Sequence, residues 1–299
     1  MAVFDGITKI LAPMAGYTDI AFRTLAIEYG AQLTVTEMVS TRGLTHDGAA
    51  TKILLRLSEV EKPSCVQLFG SEPDDFAFAA KKVECDIIDI NMGCPMPKIV
   101  KNGDGAALMK NPVTAGEIVR AVKSVTDRPV TVKTRLGYEN GKITAHELIS
   151  RVADAGASAV TVHGRFAEQR YEGKCDLDAV KKLKHNSSIP IIPSGDITRE
   201  NLDEVVREFG AAMIGRAALS DIGLFSGVAV NPVELSLRHI ELLTKYFDER
   251  YTVNAAKKFF VHYFKSVRGG KALRGEVNNA STVKEVTDAI DRFKNSYGF

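Results

Sequence analysis

Eight short runs rich in Val, Ile and Thr recur along this chain with amphipathic stretches between them, and that rhythm restricts the fold more than any other feature. The runs are ITKILAPMA (7–15), LTVTEMV (33–39), SCVQLFG (64–70), DIIDINMG (86–93), PVTVKTRLG (129–137), SAVTVHGR (158–165), PIIPSGDI (190–197) and AAMIGRAAL (211–219). Their length and β-branched content read as strands. The stretches between them, such as TDIAFRTLAIEYGA, NPVTAGEIVRAVKSV, TAHELISRVADAGA and TRENLDEVVREFGA, read as helices, several of them stopped at a glycine. Eight βα units in about 225 residues match an α/β fold of the (β/α)8 TIM-barrel type, which needs roughly 250. An open doubly wound sheet is the alternative, but it would carry a glycine-rich fingerprint after its first strand, and ITKIL is followed by none.

From about residue 231 the rhythm becomes purely helical, in NPVELSLRHIELLTKYFDE, TVNAAKKFFVHYFKSV and STVKEVTDAIDRF. In the last, Thr282 and Glu285 have capping-box spacing, and Val283, Val286, Ile290 and Phe293 share one face. The expected organisation is a barrel over residues 1–230 and a small C-terminal helical bundle over 231–299. At 299 residues and 45% hydrophobic content, the chain can bury one large core with a small satellite. No run of 18 or more apolar residues occurs, and MAVFDGITKI is unlike a signal peptide, so a cytoplasmic protein without a membrane partner is expected. Four cysteines without a CxxC pair argue against a disulfide framework and against a metal site. Cys65 and Cys85 read as core thiols and Cys175 as a surface-loop residue.

Barrels of this type carry their chemistry at the C-terminal ends of the strands. Polar and special residues fall there: Pro13, Met14 and Ala15, then Glu37, Gln67, Asn91, Cys94, Lys133, Arg135, His163, Arg165, Ser194, Gly195, Asp196, Gly215 and Arg216. GDI near the seventh run and GR after the eighth stand where such barrels bind phosphate, although small-residue packing explains either one alone. Lys133 suits a positive charge against an electron-rich ring such as a flavin, or a Schiff base. His163 is either a satisfied core histidine or, with Arg165, part of a ligand-facing pair. In NMGCPMPK, Gly93 and Pro95 bend the chain so that Cys94 leaves the strand and projects into the mouth, and Asn91 offers a polar side chain beside it. Gly103 and Gly105 then read as keeping the following loop small and mobile enough to admit a substrate.

Net charge is only +2, but residues 231–299 carry 12 Lys or Arg against 8 Asp or Glu, while the rest carries 27 against 29. Residues 251–275 hold Lys257, Lys258, Lys265, Arg268, Lys271 and Arg274 with no acid, interleaved with Tyr251, His262 and Tyr263. This combination suits phosphates and stacked bases, or a solvated helix face.

APMAGYTD, TEMVS, QLFG, DINMGCPMPKIVKNGDGAALM, VKTRLG, TVHGR and MIGRAAL, in this order, resemble the dihydrouridine synthase family of flavin-dependent tRNA-modifying enzymes over almost the whole chain. The resemblance implies an FMN-binding barrel, a helical tRNA-binding domain, and NADPH as the reductant of the flavin. It places FMN against Pro13, Met14, Ala15, Gln67, Lys133, His163, Ser194, Gly195, Asp196, Gly215 and Arg216. Cys94 becomes the proton donor, and Asn91, Arg165, Lys257, Lys258, Arg268, Lys271 and Arg274 contact the RNA. The implied reaction reduces the uracil 5,6 double bond, with hydride to C6 and a proton to C5. An FMN barrel acting on a free pyrimidine, as a dihydroorotate dehydrogenase does, would not need the basic helical segment. This chain departs from the family pattern at Ser194 (NGD becomes SGD), at Phe166 (HGRT becomes HGRF) and over residues 220–223, where a GNPW-like stretch is replaced by SDIG.

Overall fold

The computed structural model describes residues 5–46 and 48–299. Its strands are β1 (Lys9–Leu11), β2 (Leu33–Val35), β3 (Val39–Ser40), β4 (Ser64–Phe69), β5 (Ile87–Asn91), β6 (Val130–Arg135), β7 (Ala159–His163), β8 (Ile191–Ser194) and β9 (Ala212–Ile214). All pair in parallel in the order β2-β1-β9-β8-β7-β6-β5-β4-β3, and a further β2–β4 pairing closes the sheet. The result is the expected (β/α)8 barrel with eight staves.

LTVTEMV is not one strand. β2 and β3 are two pieces of the same stave, both paired to β4. Val35 lies opposite Cys65 and Val39 opposite Leu68, so four steps on one side span three on the other. One extra residue in a strand forces a local kink, as in a β-bulge. Here it falls at Thr36–Met38 and frees Glu37 for the mouth, where its Oε2 accepts from Gly16 N at 2.6 Å.

The helices are α1 (Ile20–Glu28), α2 (Thr41–Thr45), α3 (Ala49–Leu54), α4 (Pro73–Lys82), α5 (Pro97–Val100), α6 (Pro112–Lys123), α7 (Ala145–Asp154), α8 (Leu177–His185), α9 (Leu202–Phe209) and α10 (Ala217–Ser220). Then come α11 (Pro232–Tyr246), α12 (Glu249–Tyr263), α13 (Gly270–Asn279) and α14 (Val283–Tyr297). Local chemistry sets their ends. Asp19 accepts from Phe22 N to start α1, and Asn231 accepts from Val233 N and Glu234 N to start α11. Gly210 stops α9 at φ +89°, a conformation that glycine adopts without steric cost. The capping box of Thr282 and Glu285 opens α14, whose Val286, Ile290 and Phe293 are buried.

Inside the barrel, Ile10, Leu33, Cys65, Ile87, Ala159, Ile192 and Met213 fill the floor beneath the mouth. The helical segment does not have a core of its own. Phe22 and Leu25 of α1, Leu219 of α10, Leu243 of α11, Phe259 and Phe260 of α12, and Ile290 and Phe293 of α14 belong to one continuous apolar cluster. Phe22 stacks on Phe259 with ring centroids 5.0 Å apart. Full burial of each large apolar side chain contributes about 1.5–3 kcal/mol, so this seam is a major share of what fixes α11–α14 to the barrel.

Candidate active site at the barrel mouth

The turn after β5 is built around Cys94. Asn91 Oδ1 accepts from Gly93 N at 3.2 Å and Cys94 N at 2.9 Å, and Arg135 Nε donates to Gly93 O at 2.8 Å. Gly93 lies so close to β6 that a Cβ there would come 3.1 Å from the Thr134 backbone. Gly105, at φ +60°, packs against Cys94 itself: a Cβ would meet Cys94 O at 2.8 Å, and Ala106 N donates to that same oxygen at 3.0 Å. Gly105 therefore lets the chain fold tightly under the thiol, where the sequence suggested a mobile loop. The thiol is half-buried. Burial pushes the Cys94 pKa above the ordinary thiol value, against the opposing pull of the Met96 backbone, Arg135 and Lys133. At neutral pH this sulfur holds its proton.

Lys133 sits opposite Asn91 in the β5–β6 register. Among the described residues its ammonium has no hydrogen-bond or ion-pair partner, and burial followed by the neighbouring Arg135 charge lowers its pKa to about 8, with Asp89 opposing. An unpartnered cation at a barrel mouth is available to a ligand. Beneath it, buried Asp89 accepts from Gln67 Nε2 at 2.7 Å and from Thr131 Oγ1 at 2.5 Å, and Gln67 Oε1 accepts from Asn91 Nδ2 at 2.9 Å.

His163 is buried, and its Nε2 stands 3.2 Å from Arg165 Nη1. A guanidinium can only donate, so Nε2 is the acceptor and the single imidazole proton lies on Nδ1. Burial first, then the charges of Lys133, Arg135, Arg165 and Arg216, hold the ring far below the usual imidazole range and keep it neutral. His163 can thus offer a hydrogen bond from Nδ1 but is no proton store.

Arg165 is 2% exposed and does not face the mouth with free donors. It donates to Glu172 O, Gly173 O and Cys175 Sγ, and forms an ion pair with Asp196 at 2.7 Å. Its work is to hold the loop after β7. Cys175, read from sequence as a surface residue, is half-buried under that guanidinium, with its thiol pushed up to about 11 mainly by burial. A Cβ on Gly195 would lie 2.2 Å from Cys175 Sγ and 2.3 Å from His163 Cδ2, so no other residue fits without displacing both. Ser194 ends β8, in register with His163. Asp196 also bonds Arg216 at 3.2 Å and accepts from Cys175 N at 2.9 Å. Burial opposes its ionisation, but that amide and the two guanidiniums hold the carboxyl below its ordinary pKa. Arg216 remains half-exposed, and it and Arg135 both flank the Tyr171 ring, at 5.3 Å and 5.6 Å from its centroid.

Pro13, Met14 and Ala15 form the turn after β1, with Met14 N bonded to Thr18 Oγ1 and Met14 O accepting from Thr18 N. Gly215 directly follows β9, and a Cβ there would stand 3.7 Å from Met14 Sδ, an ordinary contact distance. These residues, which the sequence suggested for a cofactor, lie on or directly after strands of the one barrel sheet.

The basic stretch divides. Lys258 donates to Gly16 O and lies 4.9 Å over the Tyr17 ring, Arg274 donates to Phe264 O, and Tyr251 donates to Asp19 Oδ2 at 3.0 Å. Tyr263 is 6% exposed and bonded to His239, so it presents no face to a base. These residues fasten α12 and α13 to the rest of the molecule. Lys257, Lys265, Arg268 and Lys271 have no such partner among the described residues. Beside the Cys94 turn lies a cavity of about 400 Å³ lined by Pro95, Pro97, Lys101, Tyr138, Glu168 and Arg170, among others.

Among the described residues no group of three or more His, Cys, Asp or Glu could hold a metal ion, and no helix is long and apolar enough to cross a membrane. Residues 10–297 match the family model described as Dihydrouridine synthase (Dus). A probable tRNA-dihydrouridine synthase of Rhizobium leguminosarum bv. phaseoli is 37% identical, the match covering 89% of this chain and 87% of that protein. The tRNA-dihydrouridine synthase B of Shewanella oneidensis is 33% identical, with 95% and 94% covered. In fold, the chain is similar to a morphinone reductase variant solved with tetrahydroNAD, at TM-score 0.52 and 13% identity over 75% of this chain and 88% of that one.

Proposed function

From the premise that this chain belongs to the dihydrouridine synthase family, we propose that it is an FMN-dependent oxidoreductase reducing the C5–C6 double bond of specific tRNA uridines to 5,6-dihydrouridine, with NADPH as the source of electrons. The residues at the mouth fit such a cofactor. Lys133 brings an unpartnered ammonium for the electron-rich edge of the ring, His163 an Nδ1 hydrogen-bond donor, and Gln67 an amide with capacity left on both its nitrogen and its oxygen. Arg216, half-exposed beside Asp196 and Gly195, serves the phosphate, and Pro13–Ala15 and Gly215 form the wall between them. When bound, FMN supplies the hydride that enters at C6, and NADPH restores it.

Cys94 completes the reduction. Its S–H gives the proton to C5 as the hydride enters at C6, so two hydrogens add across the double bond, and the thiolate recovers its proton from solvent. The observation that carries this reading is the turn after β5, in which Asn91, Arg135 and Gly105 hold a half-buried Cys94 thiol at the mouth of the barrel, where burial favours its protonated form. A nucleophilic cysteine would need the opposite shift. The uracil must leave its stack to reach the thiol, at a cost of a few kcal/mol. Residues 1–230 act as the catalytic domain, and residues 231–299 grip the tRNA through Lys257, Arg268 and Lys271, with Lys265 beside them. Tyr138, Lys101 and Arg170 around the adjoining cavity suit a nucleotide flanking the target.

The test is to map dihydrouridine in tRNA from cells lacking the gene and to complement with the parent and with Cys94→Ala. Loss of one or more dihydrouridines, restored by the parent alone, supports the reading. An unchanged tRNA map, or a purified protein that holds no flavin, removes it.

A further inference from the structure

Three side chains beneath the mouth form a hydrogen-bond chain whose direction is set at both ends. At the lower end, Asp89 is 1% exposed and accepts twice, from Gln67 Nε2 at 2.7 Å and from Thr131 Oγ1 at 2.5 Å. Burial raises the Asp89 pKa, while the bonds from Gln67 and Thr131 and the charge of Lys133 favour the carboxylate; as a carboxylate it can only accept, so the Gln67 amide turns its nitrogen to Asp89 and its oxygen to Asn91. Asn91 then gives Nδ2 to Gln67 Oε1 at 2.9 Å and is left with Oδ1 for the amides of Gly93 and Cys94, at 3.2 and 2.9 Å. At the upper end those two backbone N–H groups demand an acceptor, and the chain delivers one. Amide orientations are assigned from their partners, and here the partners at both ends agree.

We propose that Asp89 is a positioning residue for the reaction: through Gln67 and Asn91 it fixes the turn that carries the Cys94 thiol. Asp89 touches neither the thiol nor the open mouth, and its effect on Cys94 is transmitted by the direction of the chain. The register supplies the geometry, because Gln67 stands opposite Asp89 in the β4–β5 pair.

The chain can be turned round, and this provides the test, which rests on the proposed uridine reduction only for its activity readout. Asn91→Asp keeps an acceptor for Cys94 N–H but sets a carboxylate on each side of Gln67, whose single nitrogen can face only one of them. The buried mismatch should loosen the turn. Displacement of a reacting group by about 1 Å can cost on the order of 10²-fold in rate, and a loss of that size is expected in single-turnover flavin reoxidation by tRNA. Asp89→Asn alone should be mild, because the new amide can accept from Gln67 and donate to Thr131 Oγ1. The double variant Asp89→Asn with Asn91→Asp reverses both bonds of Gln67 and keeps the outer ones. Gln67 gives its nitrogen to the carboxylate now at position 91 and accepts from the amide now at position 89, whose oxygen accepts from Thr131. It should recover most of the rate.

A second readout needs no cofactor: peptide-resolved alkylation of Cys94, expected to quicken in Asn91→Asp and to return toward the parent in the double variant. Should the pair fail to fold, Gln67→Met, which removes the middle link, should raise Cys94 alkylation in the same way. Absence of rescue in a folded double variant overturns the proposal, as does Cys94 alkylation unchanged in both Asn91→Asp and Gln67→Met. A parent enzyme that does not reduce tRNA uridine would instead remove the functional reading while leaving the alkylation result to decide the chain.

Discussion

Cys94 and Lys133 titrate in opposite directions, and the difference is measurable. Burial raises the Cys94 pKa, so the proposed proton donor stays protonated beyond the ordinary thiol range, whereas the Lys133 pKa is lowered to about 8. The alkaline fall in flavin-dependent turnover should therefore follow Lys133, with an apparent pKa of about 8, and Lys133→Arg should move that limb upward in a pH profile of kcat. Cys94→Ala should keep its flavin yet lose roughly 10²- to 10⁴-fold in the rate of flavin reoxidation by tRNA, the usual cost of removing a general acid. Stopped-flow absorbance of the pre-reduced variant checks it. Cys94, Lys133 and His163 were legible in the sequence because each stands at the end of a β-branched run. Asp89 was not, since only the register that pairs it with Gln67 gives it a role. Nor was the burial of Arg165 and Cys175, which follows from how the loop after β7 folds back on Asp196.

At the scale of elements, the basic stretch of residues 251–275 does not present one surface. α12 turns Tyr263 into the core and Lys258 onto the β1–α1 turn, an orientation that its composition does not reveal. Within this stretch, Lys257, Lys265, Arg268 and Lys271 have no partner among the described residues, and replacing all four by Ala should weaken tRNA binding. Each phosphate left without its cation should flatten the slope of log K against log salt by up to about 0.9, on the duplex DNA scale. Filter binding over a salt series checks this, with FMN content unchanged as the control. Lys258→Ala should behave differently and loosen the mouth turn. On α11, His239 is enclosed by Phe22, Phe259 and Tyr263, with Nε2 unpartnered. Burial, aided by Lys258, lowers its pKa to about 3. The folded state keeps it neutral while the unfolded chain protonates near pH 6.5. Its contribution to stability is therefore complete above about pH 6.5 and is lost as the pH falls toward 3. The Tm of His239→Gln should fall less than that of the parent between neutral and mildly acid pH in a thermal melt.

Across the whole molecule, the barrel was legible because eight βα repeats leave few other folds, while the broken second stave was not, because a one-residue excess has no signature in composition. The seam of α1, α10 and the C-terminal helices was also hidden: an amphipathic pattern shows that a face is apolar but not what covers it. Residues 1–230 expressed alone should expose Phe22, Leu25 and Leu219 and aggregate or unfold, whereas the full chain should melt in one transition. Calorimetry of the two chains separates that outcome from independent domains. The bonds from Lys258 to Gly16 and from Tyr251 to Asp19 carry this union up to the mouth itself. A ligand bound by both the helical segment and the barrel, as proposed for tRNA, would meet two surfaces whose relative placement these contacts already hold. The loss of rotational freedom between two gripping surfaces, which would otherwise weaken every encounter, is incurred once, when the chain folds.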